Sequence, residues 1–280
     1  MKYQPSLPEH NDNVSHQHPI RELLTLLLGV AGLAAIGLWV LGLFVDTAVE
    51  SISPEIEARL FRNIDISAAF GKTQESDVQA RVQDLVESLG QCHDIPFPLT
   101  VHLIDKEEIN AIALPGGDII LYAPLLNRLP SMNGLTFVLA HELGHFKNRD
   151  HLRALGRGLV LTALVTYFTG SNSDVSRMLA STLTLGQAQH SQSRESQADE
   201  TALEILNCSY GHVGGATELF EVLQKQEGAS GPDVLHYFDT HPELQKRIDA
   251  IHDLSQKRGY VTKPTIPLDS RLAVQDAPER

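Results

Sequence analysis

His141, Glu142, Leu143, Gly144 and His145 spell HExxH inside the apolar run Leu135–Phe146. Four residues of helix rotate through about 400°, so His141 and His145 stand about 40° apart on one face, where both imidazoles reach one metal ion. Glu142 is then placed as general base toward a water that zinc acidifies, while the metal polarises a peptide carbonyl. Residue types at this spacing predict zinc-dependent hydrolysis with one zinc ion per chain. A catalytic zinc takes three protein ligands and keeps a fourth position open, so a third ligand must lie elsewhere.

Two positions offer one. His151 gives HExxHxxNxxH, which differs from the metzincin pattern HExxHxxGxxH only in having Asn148 for glycine. That glycine ends the helix in a left-handed conformation, which asparagine tolerates moderately. A metzincin also needs a methionine turn, and the only later methionine, Met178, falls in a stretch (174–185) that reads as helix. Glu195 is the other position. It begins Glu195-Ser196-Gln197-Ala198-Asp199, an ExxAD pattern at the start of an amphipathic helix, and offers zinc a hard oxygen donor.

HExxH followed some fifty residues later by ExxAD resembles the M48 family of membrane-associated zinc endopeptidases, a gluzincin group. Three further segments agree: Asn110 to Gly117 is similar to that family's NAFxLPGG stretch, Asn148-Arg149-Asp150-His151 to a run common after its zinc helix, and His241-Pro242 with Arg247 to its late HPxxxxR element. The resemblance spans about residues 50–254. It implies that His141, His145 and Glu195 hold the zinc and that Glu142 is the base. It implies that Asp199, on the same helical face as Glu195, accepts a ligand histidine N–H and fixes its tautomer. By the same resemblance His241 stabilises the oxyanion and Arg247 orients the residues around the ligands. Asn110, Ala111, Gly116 and Gly117 would bind substrate. Arg194 and Glu200 read as surface charges.

The elements that must position these residues follow from periodicity. Leu99 to Leu121 alternates apolar and polar side chains, broken by Pro115, Gly116 and Gly117, and predicts two strands around a turn; Ile112 to Ile119 is the candidate edge for pairing with an extended substrate. Val78, Val82, Leu85, Val86 and Leu89 keep a helical period, as do 198–206 and 219–223. Pro242 suits the first turn of a helix running to about Lys257, with Leu244, Ile248 and Ile251 on one face. Leu159 to Phe168 is apolar but too short to span a bilayer, and reads either as a buried helix under the site or as a flap dipping into a bilayer surface.

Leu23 to Val45 carries no charge and is long enough to cross a membrane, too long for the apolar core of a cleavable signal peptide. Arg21 abuts it, whereas Arg59 and Arg62 lie beyond Asp46, Glu50 and Glu55 on the other side. This predicts the N-terminus inside and the catalytic domain on the extracytoplasmic side of a bacterial inner membrane. Cys92 and Cys208 are compatible with one disulfide or none. The expected organisation is a polar tail (1–21), a transmembrane helix (22–45), a juxtamembrane segment (46–72), a metallopeptidase domain (73–259) and a disordered tail (260–280). The fold expected is α+β, mostly α, with a small β-sheet beside the HExxH helix. Expected partners are protein or peptide substrates and the lipid bilayer; a net charge of −13 argues against nucleic acid. A metzincin-like protease using His151, and a membrane-anchored binding protein or chaperone without turnover, are the alternatives.

Overall fold

The computed structural model describes residues 19–73, 76–93, 95, 98–170, 192–227 and 244–272. The chain forms two compact units, Met1–Asp46 and Thr47–Arg280. What is described of the first is the greater part of helix α1 (Pro19–Ser51). Its apolar side chains are exposed, Leu33 at 72% and Trp39 at 66%. A helix of 33 residues measures about 50 Å, longer than a hydrocarbon core of about 30 Å, so α1 is long and apolar enough to cross a membrane.

In the second unit α2 (Pro54–Phe61) starts almost at once after α1, capped by Ser53, whose side chain accepts the Ile56 N–H. A short α3 (Ile66–Phe70) and α4 (Asp77–Gly90) follow. In α4 the inward face is Val82, Val86 and Leu89, the periodicity expected. The sheet has three strands, not two: β1 (Thr100–Ile104), β2 (Ala111–Leu114) and β3 (Asp118–Tyr122), in the order β1-β3-β2. β1 runs parallel to β3, and β2 antiparallel to it across the Pro115–Gly117 turn. β3 is therefore central, and of the candidate edge Ile112–Ile119 only the β2 part lies at an edge of the sheet, a distinction that alternation of apolar residues does not carry.

After α5 (Ala123–Arg128) comes the central helix, α6 (Met132–Asn148), whose residues from Asn133 to Phe146 are all buried. Its N-terminus is capped by Ser131, which accepts the Gly134 N–H at 2.9 Å. At its other end Arg149 adopts φ 56°, ψ 34° and hands the chain to α7 (Asp150–Thr169). The remaining helices among the described residues are α8 (Gln192–Tyr210), α9 (Glu218–Glu227) and α10 (Leu244–Lys257), with a 3-10 turn at Ser270–Leu272. α10 buries Leu244, Ile248 and Ile251 as expected, and Arg247 with them.

Two expectations change, and the open question of the cysteines is answered. α7 is not a buried helix: Leu159 is 58% and Leu161 and Leu164 each 39% exposed. Residues 260–272 are not a disordered tail, because they find backbone partners at the start of α6. The Met132 N–H donates to the Ile266 carbonyl at 2.8 Å, the Leu268 N–H to the Pro130 carbonyl at 3.1 Å, and Leu272 is buried. Cys92 and Cys208 do form a disulfide, with Cα atoms 6.2 Å apart, joining the end of α4 to α8 across a sequence separation of 116.

Candidate active site

The two sequence motifs meet where α6 crosses α8. A Cβ placed on Gly144 would lie 2.8 Å from the Ala198 Cα and 3.0 Å from its carbonyl oxygen, so only glycine at this position lets the backbones approach so closely. The crossing pairs a residue inside HExxH with one inside ExxAD. Within one helical turn of it, His141, His145 and Glu195 bring one ligand atom each to within 4.8 Å of one another, all buried. The two Nε2 atoms are 3.1 Å apart, and the Glu195 oxygens lie 3.4 Å and 3.5 Å from them.

Each imidazole is aimed from behind. His141 Nδ1 donates to Asp199 Oδ1 at 2.9 Å and His145 Nδ1 to Asp150 Oδ2 at 3.0 Å, which puts a proton on each Nδ1 and turns both Nε2 atoms toward Glu195. Arg247 grips Asp199 with Nε at 2.9 Å and Nη2 at 2.6 Å, reaches Glu195 Oε2 with Nη1 at 2.8 Å, and lies 4.6 Å over the Phe220 ring. Its Nη2 also stands 3.3 Å from His141 Nδ1, a packing contact, because that nitrogen's proton is already given to Asp199.

Glu142 is buried, and its Oε2 accepts the Ala113 N–H of β2 at 2.9 Å. The Tyr122 N–H of β3 donates to the Asn110 carbonyl at 3.1 Å, so in this antiparallel register Asn110, Ile112 and Leu114 turn their backbone groups to β3, and the N–H and C=O of Ala111 and Ala113 point the other way, toward the outer edge. The Ala111 N–H is taken by the Asn110 side chain at 2.9 Å.

Four buried carboxylates, Glu142, Asp150, Glu195 and Asp199, converge here against two guanidiniums, Arg247 and Arg194, the latter 3.3 Å from Asp150. Burial opposes protonation of His145, yet its bonds to Asp150 and Glu195 and the nearby Glu142 charge raise its pKa to about 10. Burial and Arg247 likewise oppose protonation of His141, but Asp199 and Glu195 outweigh them and raise it. Burial pushes Asp199 up while Arg247 and His141 hold it below the ordinary range. The pocket thus favours positive charge between converging nitrogen and oxygen donors, the donor set zinc takes.

The family model described as Peptidase family M48 matches residues 72–255. The chain belongs to peptidase family M48. With that membership comes peptide-bond hydrolysis, and M48 peptidases depend on zinc, which the His-His-Glu cluster fits. Among similar proteins, a protease HtpX homolog of Aquifex aeolicus is 26% identical over 220 residues, covering 64% of this chain and 72% of its own. The mitochondrial metalloendopeptidase OMA1 of Danio rerio is 26% identical over 197 residues, 64% of this chain and 41% of that protein. The beta-barrel assembly-enhancing protease of Escherichia coli is 29% identical over 196 residues, 64% and 40% respectively. The chain therefore spans less than half the length of the last two.

Within this M48 chain the structure brings His141, Glu142, His145, Glu195, Asp199 and Arg247 together; His241 lies outside the described residues, as does Met178. His151 is not among the converging donors, since its Nε2 pairs with Glu57 at 2.8 Å. A left-handed turn does follow the zinc helix, one residue later than the metzincin comparison places it, and it returns Asp150 to His145. Gly116 donates its N–H to Glu57 Oε1 at 3.1 Å. Asp150 was visible in the sequence only as part of a run, without a role. Arg194, expected on the surface, has a side chain 13% exposed and pairs with Asp150, because the start of α8 lies over the end of α6. Glu200 is at the surface with Arg258.

Proposed function

We propose that this chain is a membrane-anchored, zinc-dependent endopeptidase that cleaves membrane or misfolded envelope proteins. His141, His145 and Glu195 hold the metal; the convergence of their three ligand atoms within 4.8 Å, buried and beside Glu142, is the observation that carries the reading. Zinc there supplies Lewis acidity toward a peptide carbonyl and a water. Glu142 takes the proton of the attacking water and passes it to the leaving amine, its carboxylate held in place by the Ala113 N–H. An extended substrate pairs along the outer edge of β2, where the Ala111 and Ala113 carbonyls accept main-chain N–H groups, which makes binding tolerant of sequence. Asn110 pins the start of that edge, and Gly116 and Gly117, with φ of 101° and 104°, form the turn that ends it. Asp199 and Arg247 orient His141 and Glu195, and His241 is assigned to the oxyanion.

α1 is the anchor, with the peptidase unit outside the cytoplasm. The Cys92–Cys208 disulfide supports that side, because such bonds persist in oxidising compartments. The exposed leucines of α7 suit a surface facing lipid.

Zinc content and casein cleavage by the full chain in detergent test the reading. Glu142→Gln keeps its metal and loses cleavage, Glu195→Ala loses zinc, and His151→Ala keeps zinc. Loss of metal in His151→Ala with retention in Glu195→Ala would establish the other ligand set. Zinc-loaded wild type that cleaves neither casein nor an unfolded membrane protein would instead favour a binding role.

A further inference from the structure

Glu57, on the helix that follows the anchor, is completely buried, and nothing in the zinc site requires it to be acidic. Burying a carboxylate is costly unless its oxygens are well satisfied. Here they are. Oε1 accepts the Gly116 N–H at 3.1 Å and His151 Nε2–H at 2.8 Å, while Oε2 accepts from Arg149 Nη2. Burial pushes the carboxyl pKa up, but His151, Arg149 and the Gly116 N–H together hold it below its ordinary value, so Glu57 is an anion at neutral pH.

Its three donors come from separate parts of the unit. Gly116 is in the turn that ends the edge strand β2. Arg149, the only non-glycine residue with positive φ among the described residues, terminates the zinc helix α6. Its Nη1 reaches back to the Val49 carbonyl at 2.8 Å and to the Ile52 carbonyl, in and just beyond the last turn of α1. His151 lies in the first turn of α7. α2 also presses on the turn sterically, since a Cβ on Gly116 would sit 3.1 Å from the Phe61 Cβ. An apolar side chain at position 57 could dock α2 at lower desolvation cost. What the carboxylate adds is direction, fixing one N–H of the turn relative to the end of the zinc helix.

We infer that Glu57 is a positioning residue for peptide hydrolysis, setting the outer edge of β2 at its working distance from the zinc helix through Gly116 on one side and Arg149 and His151 on the other. The inference rests on the reading of β2 as the substrate strand. The end of the membrane anchor is then part of the catalytic assembly, because the same arginine that Glu57 engages is held by the backbone where α1 ends. Glu57 touches neither the metal donors nor Glu142, so its loss acts on substrate binding and leaves the metal in place.

The test compares wild type, Glu57→Gln and His151→Ala as full-length proteins in nanodiscs. It reads zinc per chain, KM and kcat on an unfolded protein substrate, and hydrogen exchange of residues 111–117 and 192–199. Glu57→Gln retains the shape of the side chain but points an amide at donors. The expected result is a KM raised about tenfold, as for loss of one charge-assisted hydrogen bond, with kcat within about threefold of wild type. One zinc is retained, and exchange is faster in 111–117 and unchanged in 192–199. His151→Ala, which leaves Gly116 and Arg149 on Glu57, shows the same pattern at smaller amplitude and serves if Glu57→Gln does not fold. An unchanged KM with a lowered thermal midpoint would reduce Glu57 to a staple for α2 and overturn the inference. Loss of zinc with a fall in kcat would also overturn it, by placing the effect on the metal helix. If wild type cleaves nothing, the proposed function fails, and the exchange and zinc measurements still decide whether Glu57 holds the edge strand.

Discussion

Replacing Gly144 by alanine puts the meeting of the two motifs under a defined load. The added methyl would sit 2.8 Å from the Ala198 Cα, 3.0 Å from its carbonyl oxygen and 3.2 Å from its Cβ. Carbon atoms in contact prefer about 3.5–4.0 Å, so α6 and α8 must part by about 1 Å. Such overpacking costs about 1–3 kcal/mol, of which alanine's better helix propensity returns about 1 kcal/mol. The metal-free protein therefore loses only about 0–2 kcal/mol. The zinc site suffers more, because His141 and His145 ride on α6 and Glu195 on α8, and ligand distances tolerate only about 0.2 Å. Zinc affinity should fall about 10–100-fold, the range found when ligand orientation is disturbed. The assay is chelator competition for zinc alongside thermal melts in EDTA and in excess zinc: a small difference from wild type in EDTA, and a larger one in zinc. Combining it with Ala198→Gly should not rescue, since the closest atoms are backbone. Wild-type zinc affinity in Gly144→Ala, or full rescue by Ala198→Gly, would refute the reasoning.

Removing the carboxylate behind His145 with Asp150→Ala should cost about 10–100-fold in zinc affinity, measured by the same competition, whereas a surface change such as Glu200→Ala should leave it untouched. Reduction of Cys92–Cys208, or the double serine variant, should lower stability by up to about 4–5 kcal/mol on the chain-entropy account of a loop this long; melts that ignore reductant would contradict the bond's role. For the metal-free chain, the His145 pKa rises on folding from 6.5 to about 10. Its stabilising contribution is complete below pH 6.5 and is lost as the pH climbs toward 10. Melts in EDTA across that interval should decline for wild type and less so for His145→Gln, while zinc binding, which competes with the proton, strengthens over the same range.

What the sequence determined by itself was local. His141 and His145 are four residues apart, so any helix there must present both to one point, and the apolar run around them ensures that this helix is buried. Glu195 and Asp199 share a helix face for the same reason, and Leu23 to Val45 announces a helix long and apolar enough to cross a membrane by its length and lack of charge. The Pro115–Gly117 turn was likewise legible, because a backbone with φ above 100° calls for glycine. The choice between His151 and Glu195 was not legible from spacing alone. It depended on where the chain leaves α6, and the left-handed turn at Arg149 sends Asp150 to His145 and His151 to Glu57. Which strand forms the edge also depended on pairing, since β1, distant in sequence from β3, takes its other side. The disulfide, the partial burial of Arg194 against Asp150 and the completely buried Glu57 are all products of segments far apart in the chain. A carboxylate's sequence neighbours say nothing of such partners; only the folded chain brings the Gly116 N–H, Arg149 and His151 to one anion, and so decides that it is buried and charged.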